Sequence, residues 1–227
     1  MPRKLVIAID GPAASGKSTT ARLVAERLGY MHLDTGAMYR AVTLKVLRAG
    51  ISPDDQRAVS ELAQTTSVEF RRSDGTVRVL LDGEDVTGEI RRPEVTGAVR
   101  AVSSYAGVRT AMVREQRRLG RDGGIVLEGR DIGTVVFPDA DLKFFMIAGL
   151  DARARRRMLE MRGQGVEAQF EDLVRDIQRR DSYDSTRQES PLRKAVDAVV
   201  IDTSEMTIEE QVEVVVEAAR ARLRGQG

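Results

Sequence analysis

The sequence predicts an α/β protein in which helices flank a parallel sheet and a small antiparallel insert interrupts the alternation. Three observations predict this class. Short apolar runs alternate with helical patterns, a glycine-rich turn joins the first strand to the first helix, and residues 66–97 include two stretches that alternate between apolar and polar. For a chain of 227 residues, we expect one domain over 1–227 that carries the insert.

The composition excludes several classes of protein. Thirty-six basic and 35 acidic residues leave a net charge of +1, which argues against nucleic acid or an anionic membrane as a partner. The absence of cysteine excludes disulfides, thiolate metal sites and thiol catalysis. No apolar run approaches the roughly 20 residues of a membrane helix, and the N-terminus has no signal-peptide pattern. We therefore expect a cytoplasmic protein.

The first strand and the first helix lie on either side of a turn. The continuous apolar run 5–9 is typical of a strand buried on both faces. After the turn, Ala21, Val24 and Leu28 recur at helical spacing, and Gly29 ends the helix. Further apolar runs predict buried strands, and they lie at 125–127, 142–147 and 198–201. This order predicts a parallel sheet.

Two later helices have clear ends. One is predicted between Gly107 and Gly120. The last begins at a capping box formed by Thr207 and Glu210 and ends at Gly225. We assign this last helix to packing only.

The stretch 66–97 has a different pattern. Val68 and Phe70 alternate with polar residues, and the positions 77, 79 and 81 repeat the alternation. Asp-Gly pairs at 74–75 and 82–83 predict tight turns. These features predict an antiparallel meander inserted into the parallel sheet.

The turn after the first strand carries the most specific motif. Residues 11–18 match the pattern GxxxxGK[ST] in full. Gly11 and Gly16 let the backbone N–H groups curl toward a polyphosphate, Lys17 reaches the β- and γ-phosphates, and Ser18 offers its hydroxyl to Mg²⁺. Because the match follows a buried strand and opens a helix, it predicts a nucleoside triphosphate site in a P-loop protein.

Other motifs narrow the class of P-loop protein. A GTPase would use an NKxD sequence to read the base, and this chain has no asparagine. A motor or transporter ATPase would have an apolar strand ending in Asp-Glu, which is also absent. The remaining class passes the γ-phosphoryl group to a small acceptor, and it needs a second anion site built from arginines.

Arginines occur in groups where such a site is expected. The groups are Arg40 with Tyr39, Arg130 with Asp131 directly after the strand 125–127, Arg153 with Arg156 and Arg157, and Arg180 with Asp184 and Arg187 on one helical face. Tyr39 and Arg40 are expected in the first turn of a helix. Solvated basic faces and ordinary ion pairs remain open as alternatives for each group.

The only histidine, His32, lies in a short apolar run, and we assign it to packing. No histidine is then left to act as a general base. This favours a phosphate monoester as the acceptor, because its second pKa is about 6 and it is largely dianionic at neutral pH. Such a nucleophile needs no general base. An alcohol acceptor would use a carboxylate such as Asp34 or Asp131, so the argument favours a phosphate acceptor and leaves the alcohol open.

Several segments also occur in a characteristic order along nearly the whole chain. They are IDGPAASGKST at 9–19, LDTGAMYRA at 33–41, DGEDVTGEIR at 82–91, VR at 108–109, EGRDIGTVVFPDADLKFF at 128–145, RRRM at 155–158 and RRDSYDSTRQESPL at 179–192. In this the chain resembles the bacterial cytidylate kinases. The resemblance implies transfer of the γ-phosphoryl group of ATP to CMP or dCMP, giving ADP and CDP or dCDP, with Mg²⁺. It also implies a monomer; a P-loop kinase for another small acceptor, such as UMP, stays open.

The resemblance implies roles for the matching residues. The ATP phosphates would be held by Gly11, Pro12, Ala13, Ala14, Ser15, Gly16, Lys17, Ser18 and Thr19, with Ser18 also on the metal. CMP would be bound by Thr35, Tyr39, Arg40, Arg100, Arg109, Arg130, Asp131, Arg180, Asp184 and Arg187. Catalysis would use Lys17, Arg130, Arg153, Arg157 and Arg180. The insert 66–97 would be the nucleoside monophosphate-binding subdomain, and 151–170 would be a helical lid.

One residue departs from the family pattern in the predicted base site. Arg100 stands where the family usually has serine. A guanidinium group can donate to the cytosine carbonyl but cannot accept from its amino group, and Ser103 or Ser104 can supply a hydroxyl instead. Thr35 replaces a common serine and keeps the hydroxyl.

Overall fold

The computed structural model describes residues 4–73, 76–163 and 165–225. In chain order the elements are β1 (Val6–Asp10), α1 (Lys17–Leu28), β2 (Met31–Asp34), α2 (Thr35–Arg48), α3 (Gln56–Gln64), β3 (Val68–Ser73), β4 (Thr76–Leu81), β5 (Glu84–Asp85), α4 (Pro93–Ser104), α5 (Ala106–Leu119), β6 (Ile125–Gly129), β7 (Leu142–Ile147), α6 (Leu150–Gly163), α7 (Phe170–Thr186), β8 (Val199–Asp202) and α8 (Ile208–Arg224). A 3₁₀ helix spans Glu89–Arg91 and a π-helical turn spans Ile132–Val136.

The chain forms two compact units. The first comprises Met1–His32 and Gly123–Gly227, and the second comprises Leu33–Asp122. No helix among the described residues is long and apolar enough to cross a membrane.

The first unit is built on a five-stranded parallel sheet in the order β2-β6-β1-β7-β8. The central strand β1 pairs with β6 from Val6 opposite Ile125 to Asp10 opposite Gly129, and it pairs with β7 on its other side. Its residues 7–10 are all buried, as the continuous apolar run predicts. The strand ends at Asp10, beside the glycine-rich turn, so the turn lies at the carboxyl edge of the sheet.

Helices α1 and α8 cover one face of this sheet. Apolar side chains of α1, such as Val24, pack with Phe144 of β7 and with Val215 of α8 in one cluster. The predicted capping box at the start of α8 is confirmed, because the Thr207 hydroxyl accepts the Glu210 N–H and the Glu210 carboxylate accepts the Thr207 N–H. A smaller cluster joins α6 to α7 through Ala154, Leu173 and Ile177.

Gly11 is required by close packing. Its φ is 152°, and a Cβ there would lie 2.1 Å from the Met146 carbonyl oxygen of β7. Gly16, the residue before α1, has a φ of 94° in the left-handed region. These two glycines let the turn pass over the end of β7 and enter the helix.

The second unit contains the predicted antiparallel strands. β3 pairs with β4, and β4 pairs with β5, in a three-stranded antiparallel sheet. The predicted turn at Asp74-Gly75 lies outside the described residues, and the other turn, with Asp82 at φ 49° and Gly83 at φ 91°, joins β4 to β5. Helices α2 to α5 complete this unit.

The structure differs from the sequence expectation in two places in this unit. The strands end at Asp85, and the rest of the stretch up to 97 contains the 3₁₀ helix and the beginning of α4. Pro93 begins α4, at a position where a missing N–H costs nothing. The α2 helix begins at Thr35, capped by Asp34, so Tyr39 and Arg40 lie in its second turn and not in its first.

Candidate active site

The glycine-rich turn and the first turn of α1 line a pocket of about 570 Å³ in the first unit. Its walls come from the turn, from helices α6 and α7, and from the start of α8. The lining residues are Ala13, Ala14, Gly16, Lys17, Ser18, Thr19, Arg156, Arg157, Glu160, Leu173, Asp176, Ile177, Arg180, Met206, Thr207, Ile208 and Gln211. Six of the nine predicted ATP-binding residues are therefore on its wall.

Lys17 is buried at the floor of this turn. Its Nζ donates to the Pro12 carbonyl oxygen at 2.6 Å and lies 3.4 Å from Ser15 Oγ. Burial, together with the positive charge of Arg130, lowers the pKa of Lys17 to about 7. A bound polyphosphate would supply the negative charge that favours the ammonium form. The side chain is thus held in place before any phosphate arrives.

Glu128, the buried carboxylate near the end of β6, connects Ser18 with His32. Ser18 Oγ donates to Glu128 Oε2 at 2.6 Å, and His32 Nε2 lies 3.2 Å from Glu128 Oε1. Burial disfavours ionisation of Glu128, but the hydrogen bond with His32 and the charge of Lys17 outweigh it and lower the pKa of the carboxyl group. The assignment of His32 to packing is therefore incomplete, because its ring also binds a carboxylate at the site.

Asp10 holds the segment that follows β6. Its two carboxylate oxygens accept the N–H groups of Ile132 and Gly133, each at 2.8 Å. Burial raises the pKa of Asp10 to about 6 and outweighs the effect of these two hydrogen bonds. Because Arg130 and Asp131 precede this segment, Asp10 ties the backbone next to both predicted site residues to the end of β1.

Two of the predicted arginines, Arg130 and Arg180, form ion pairs with aspartates of α7. Arg130 Nε donates to Asp184 Oδ2 at 2.7 Å, in a half-buried pair. Arg180 Nε lies 3.0 Å from Asp176 Oδ2, one helical turn away, and Arg180 lines the pocket. Arg130, Asp184 and Arg180 thus belong to one side of the first unit.

The three arginines of α6 have different partners. Arg153 is buried, and it binds Asp181 and the Ala13 carbonyl oxygen of the glycine-rich turn. Arg156 donates to the hydroxyl and to the carbonyl oxygen of Thr203. Arg157 pairs with Glu160 at 2.7 Å and lines the pocket. They are not one solvated basic face, since two of them anchor α6 to neighbouring loops.

Arg187 directly follows α7 and is its C-cap residue, and its N–H still donates to the Tyr183 carbonyl oxygen as in the helix. The α7 helix ends at Thr186, and Arg187 has an extended ψ of 142°. Its Nε donates to the Ser190 carbonyl oxygen at 2.7 Å within the following loop. With a φ of −58° the Cβ of Arg187 keeps the helical direction, and the chain leaves the helical period only after this residue.

In the second unit, the structure brings together two residues of the predicted CMP site. The Arg109 guanidinium lies 5.6 Å from the centroid of the Tyr39 ring, and Arg109 is buried. Arg40 Nη1 donates to Thr96 Oγ1 at 2.8 Å, and it lies 3.4 Å from the Ile90 carbonyl oxygen. Thr35, the first residue of α2, is buried.

Arg100 lies on α4 and is exposed. The hydroxyls of Ser103 and Ser104 donate back to the carbonyl oxygens of Arg100 and Ala101, at 3.3 and 2.6 Å. A serine hydroxyl that donates its proton in this way still has lone pairs that accept. Both serines therefore keep the acceptor that Arg100 lacks.

Comparison with known proteins gives the family. The sequence profile described as cytidylate kinase matches residues 7–221, which is nearly all of the chain. The chain belongs to the cytidylate kinase family. The resemblance in the motif segments is thereby confirmed.

Relatives within the cytidylate kinase family match this chain over nearly the full length of both proteins. The cytidylate kinase of Geobacter sulfurreducens is 47% identical over 222 residues, which cover 98% of this chain and 95% of that protein. The cytidylate kinase of Bacillus velezensis is 48% identical over 210 residues, covering 92% and 94%. Among solved structures, an uncharacterized protein from Eubacterium ventriosum has a TM-score of 0.52 at 10% identity, covering 96% of this chain and 99% of that one. This last likeness concerns the fold alone.

Sequence reasoning missed two residues of the site. The sequence patterns assign Glu128 no role, although it is the last buried residue of an apolar strand next to β1, where open α/β sheets place ligand groups. The prediction for the last helix assigns Gln211 to packing, but its Oε1 accepts from Thr20 Oγ1 at 2.9 Å and it lines the pocket. A polar residue in the buried stripe of α8 is the signal for Gln211.

Proposed function

We propose that the protein is a cytidylate kinase that transfers the γ-phosphoryl group of ATP to CMP or dCMP, giving ADP and CDP or dCDP. The observation that carries the proposal is the pocket around Lys17, in a chain that matches the cytidylate kinase family over residues 7–221. Lysine and arginine side chains line this pocket together with the backbone of the glycine-rich turn.

The donor triphosphate would occupy the glycine-rich turn. The N-terminus of α1 directs its backbone N–H groups and its dipole at the phosphates. Lys17 already points into the turn, through its bond to the Pro12 carbonyl oxygen, and would exchange this bond for phosphate oxygens. The positive charge therefore needs little rearrangement when ATP binds.

The donor set fits Mg²⁺ held jointly by protein and substrate. Among the described residues, no group of three or more His, Cys, Asp or Glu side chains could hold a metal ion, whereas Mg²⁺ in kinases is usually bound by few protein groups and by phosphate oxygens. Ser18 is the residue that would hold it, because its proton goes to Glu128 and its lone pairs stay available. The ion would supply charge neutralisation between the β- and γ-phosphates.

The acceptor phosphate would be bound by arginines and by Tyr39. Arg40 and Arg109 of the second unit are candidates. Arg40 now binds a hydroxyl and a carbonyl oxygen, and Arg109 lies against a ring. A dianionic phosphate is a stronger partner for a guanidinium than a hydroxyl or a ring is, so these arginines can exchange partners when CMP binds.

Positioning and charge stabilisation would provide the rate. The acceptor is already ionised near neutral pH, so no residue has to remove a proton from it. Lys17, Arg153, Arg157 and Arg180 would stabilise the charge on the transferred group. Asp184 would bind the ribose hydroxyls while keeping Arg130 in place.

The test is a panel of acceptors in an assay coupled to ADP release. We expect phosphorylation of CMP and dCMP with MgATP, and kcat/KM at least about tenfold lower for UMP and AMP. The identity of the product is checked by chromatography. ADP release without CDP, or a clear preference for an acceptor that is not a cytidine nucleotide, would refute the proposed substrate.

A further inference from the structure

His32 is the only histidine of the chain. It does not line the nucleotide pocket, but it contacts Glu128, which binds Ser18 of the pocket wall. It is the second residue of β2, the edge strand that neighbours β6. Its side chain is 12% exposed, and its Nε2 faces Glu128. A ring in this place does not reach the reacting groups directly, so any effect on the reaction passes through Glu128.

The two oxygens of Glu128 have different partners. Oε1 lies 3.2 Å from His32 Nε2, and Oε2 accepts the Ser18 hydroxyl at 2.6 Å. Glu128 is buried and Ser18 is exposed to the pocket. The buried carboxylate therefore lies between the imidazole and the hydroxyl.

The direction of the Ser18 proton decides what the hydroxyl presents to a cation. A serine hydroxyl has one proton and two lone pairs. When the proton points at Glu128, the lone pairs point elsewhere and can bind a cation. If the carboxylate turned away, the hydroxyl could rotate and direct its proton into the pocket.

A glutamate side chain has several rotatable bonds, so it stays in one rotamer only where contacts restrain it. The N–H of the His32 ring is such a contact, since Nε2 donates when it carries the proton. A bond to Oε1 leaves Oε2 as the oxygen that faces Ser18. The histidine thus selects the oxygen and the direction of the carboxylate.

We propose that His32 is a positioning residue: its Nε2–H holds Glu128 so that Ser18 presents its lone pairs to the divalent cation of a bound metal–nucleotide complex. The inference rests on the proposed function, because it requires a nucleotide in the pocket. It concerns binding of the metal complex and assigns no proton transfer to the imidazole.

The test compares two substitutions by calorimetric titration of ADP, with and without Mg²⁺. His32→Gln keeps a neutral N–H donor, whereas His32→Leu removes it. For the Leu variant we expect the affinity for MgADP to fall roughly tenfold, the size of effect seen for partners of metal ligands, while metal-free ADP binds as in the wild type. For the Gln variant we expect MgADP affinity within about twofold of wild type.

Met31→Leu is the matched control. It replaces an exposed neighbour on β2 by a side chain of nearly the same volume, and Met31 is at the opposite side of the strand from His32. We expect no change in either affinity. Should His32→Leu not fold, His32→Met is a second donor-free side chain for the same measurement.

Three results would overturn the inference. Equal losses with and without Mg²⁺ in the donor-free variant would show a general structural role. An unchanged donor-free variant would show no role, and a folded Gln variant as weak as Leu would show that the N–H is not what matters. By contrast, a wild-type protein that binds no MgADP would refute the proposed function itself, so the two failures are distinguishable.

Discussion

At the scale of single residues, Lys17 combines burial with positive charge. It is 5% exposed, and its ammonium group is held by a carbonyl oxygen of the turn. Burial of a cation is costly, and the nearby carboxylates of Glu128, Asp10 and Asp184 offset only part of this cost. A phosphate is the partner that would remove the rest. The buried charge of Lys17 therefore lowers the stability of the ligand-free protein and favours the binding of a phosphate.

We predict that Lys17→Ala lowers kcat by about 100-fold or more, because the charge that stabilises the transferred phosphoryl group is lost. The melting temperature should stay within a few degrees of wild type or rise. Steady-state kinetics and thermal denaturation measure the two effects. Lys194→Ala, an exposed lysine of the same unit, is the control, and near-wild-type turnover of Lys17→Ala would contradict its assigned role.

Asp184 is predicted to act on the acceptor more than on the donor. It is expected to bind the ribose hydroxyls of CMP, and it holds Arg130 at 2.7 Å. Asp184→Ala should raise KM for CMP about tenfold, the typical effect of losing a charged hydrogen bond, and should change KM for ATP much less. Asp172→Ala, on an exposed turn of α7, is the control. An equal rise in both KM values would make Asp184 a structural residue.

The pKa of Asp10 predicts a dependence of stability on pH. Burial raises this pKa from 3.8 to about 6, so the folded protein binds the proton more tightly than the unfolded chain does. Stability from this group is therefore present at low pH and is lost as the pH rises from about 4 to about 6. At about 1.4 kcal/mol for each tenfold change in proton affinity, the full loss is about 3 kcal/mol.

The measurement compares wild type with Asp10→Asn by urea unfolding at pH 4 and pH 7. Since asparagine does not titrate, the stability of wild type relative to this variant should decrease by up to about 3 kcal/mol between the two pH values. Asp197→Asn is the control, because Lys143 lowers the pKa of Asp197. Stability from such a group changes below about pH 4, so this difference should stay nearly constant between pH 4 and pH 7. A difference for Asp10→Asn that is constant with pH would refute the raised pKa.

At the scale of elements, α8 contributes both to the stability of the first unit and to the wall of the nucleotide pocket. Its apolar face packs on β1 and β7, and its first turn lines the nucleotide pocket through Thr207, Ile208 and Gln211. Gln211 links the helix to Thr20 of α1. The start of α8 thus has to be fixed for the pocket wall to be fixed.

We predict that Thr207→Ala destabilises the protein by about 1 kcal/mol, the usual cost of losing an N-cap hydroxyl. Urea unfolding measures the free energy of unfolding. Thr110→Ala is the control, since Thr110 is an exposed threonine inside α5 whose hydroxyl donates only to the Ala106 carbonyl oxygen among the described contacts. Equal effects of the two substitutions would show that the cap has no special role.

At the scale of the whole molecule, charge is nearly balanced although arginine is abundant. The net charge is +1, and many arginines are in ion pairs, such as Arg48 with Glu84 and Arg22 with Glu26. Paired arginines contribute little to a long-range positive field. Two arginines that line the pocket, Arg157 and Arg180, are likewise in ion pairs with Glu160 and Asp176.

We therefore predict that the protein does not retain RNA at physiological salt. In a filter-binding assay with labelled homopolymer RNA, we expect an affinity weaker than the roughly micromolar range of non-specific binders. The activity assay on the same preparation is the control for native protein. Tight retention that falls steeply with salt, without phosphoryl transfer, would support a nucleic-acid-binding module instead.

The local signals gave reliable predictions of the elements. The run 142–147 predicts β7 with the bounds that the structure has, and the capping box predicts the start of α8. The patterns predict no helix between 86 and 97, where the structure has the 3₁₀ helix and the beginning of α4. A 3₁₀ helix of 3 residues is too short to show a hydrophobic period.

The sequence by itself determined the fold class, the glycine-rich turn between β1 and α1 and the family, because each depends on residues that are neighbours in the chain. Only the tertiary structure decided which distant side chains meet. Glu128 lies 110 residues from Ser18 and 96 from His32, and Asp10 lies 122 residues from Ile132. Such pairs depend on the order of strands in the sheet, which places β1 and β2 on either side of β6, and no local pattern reports that order.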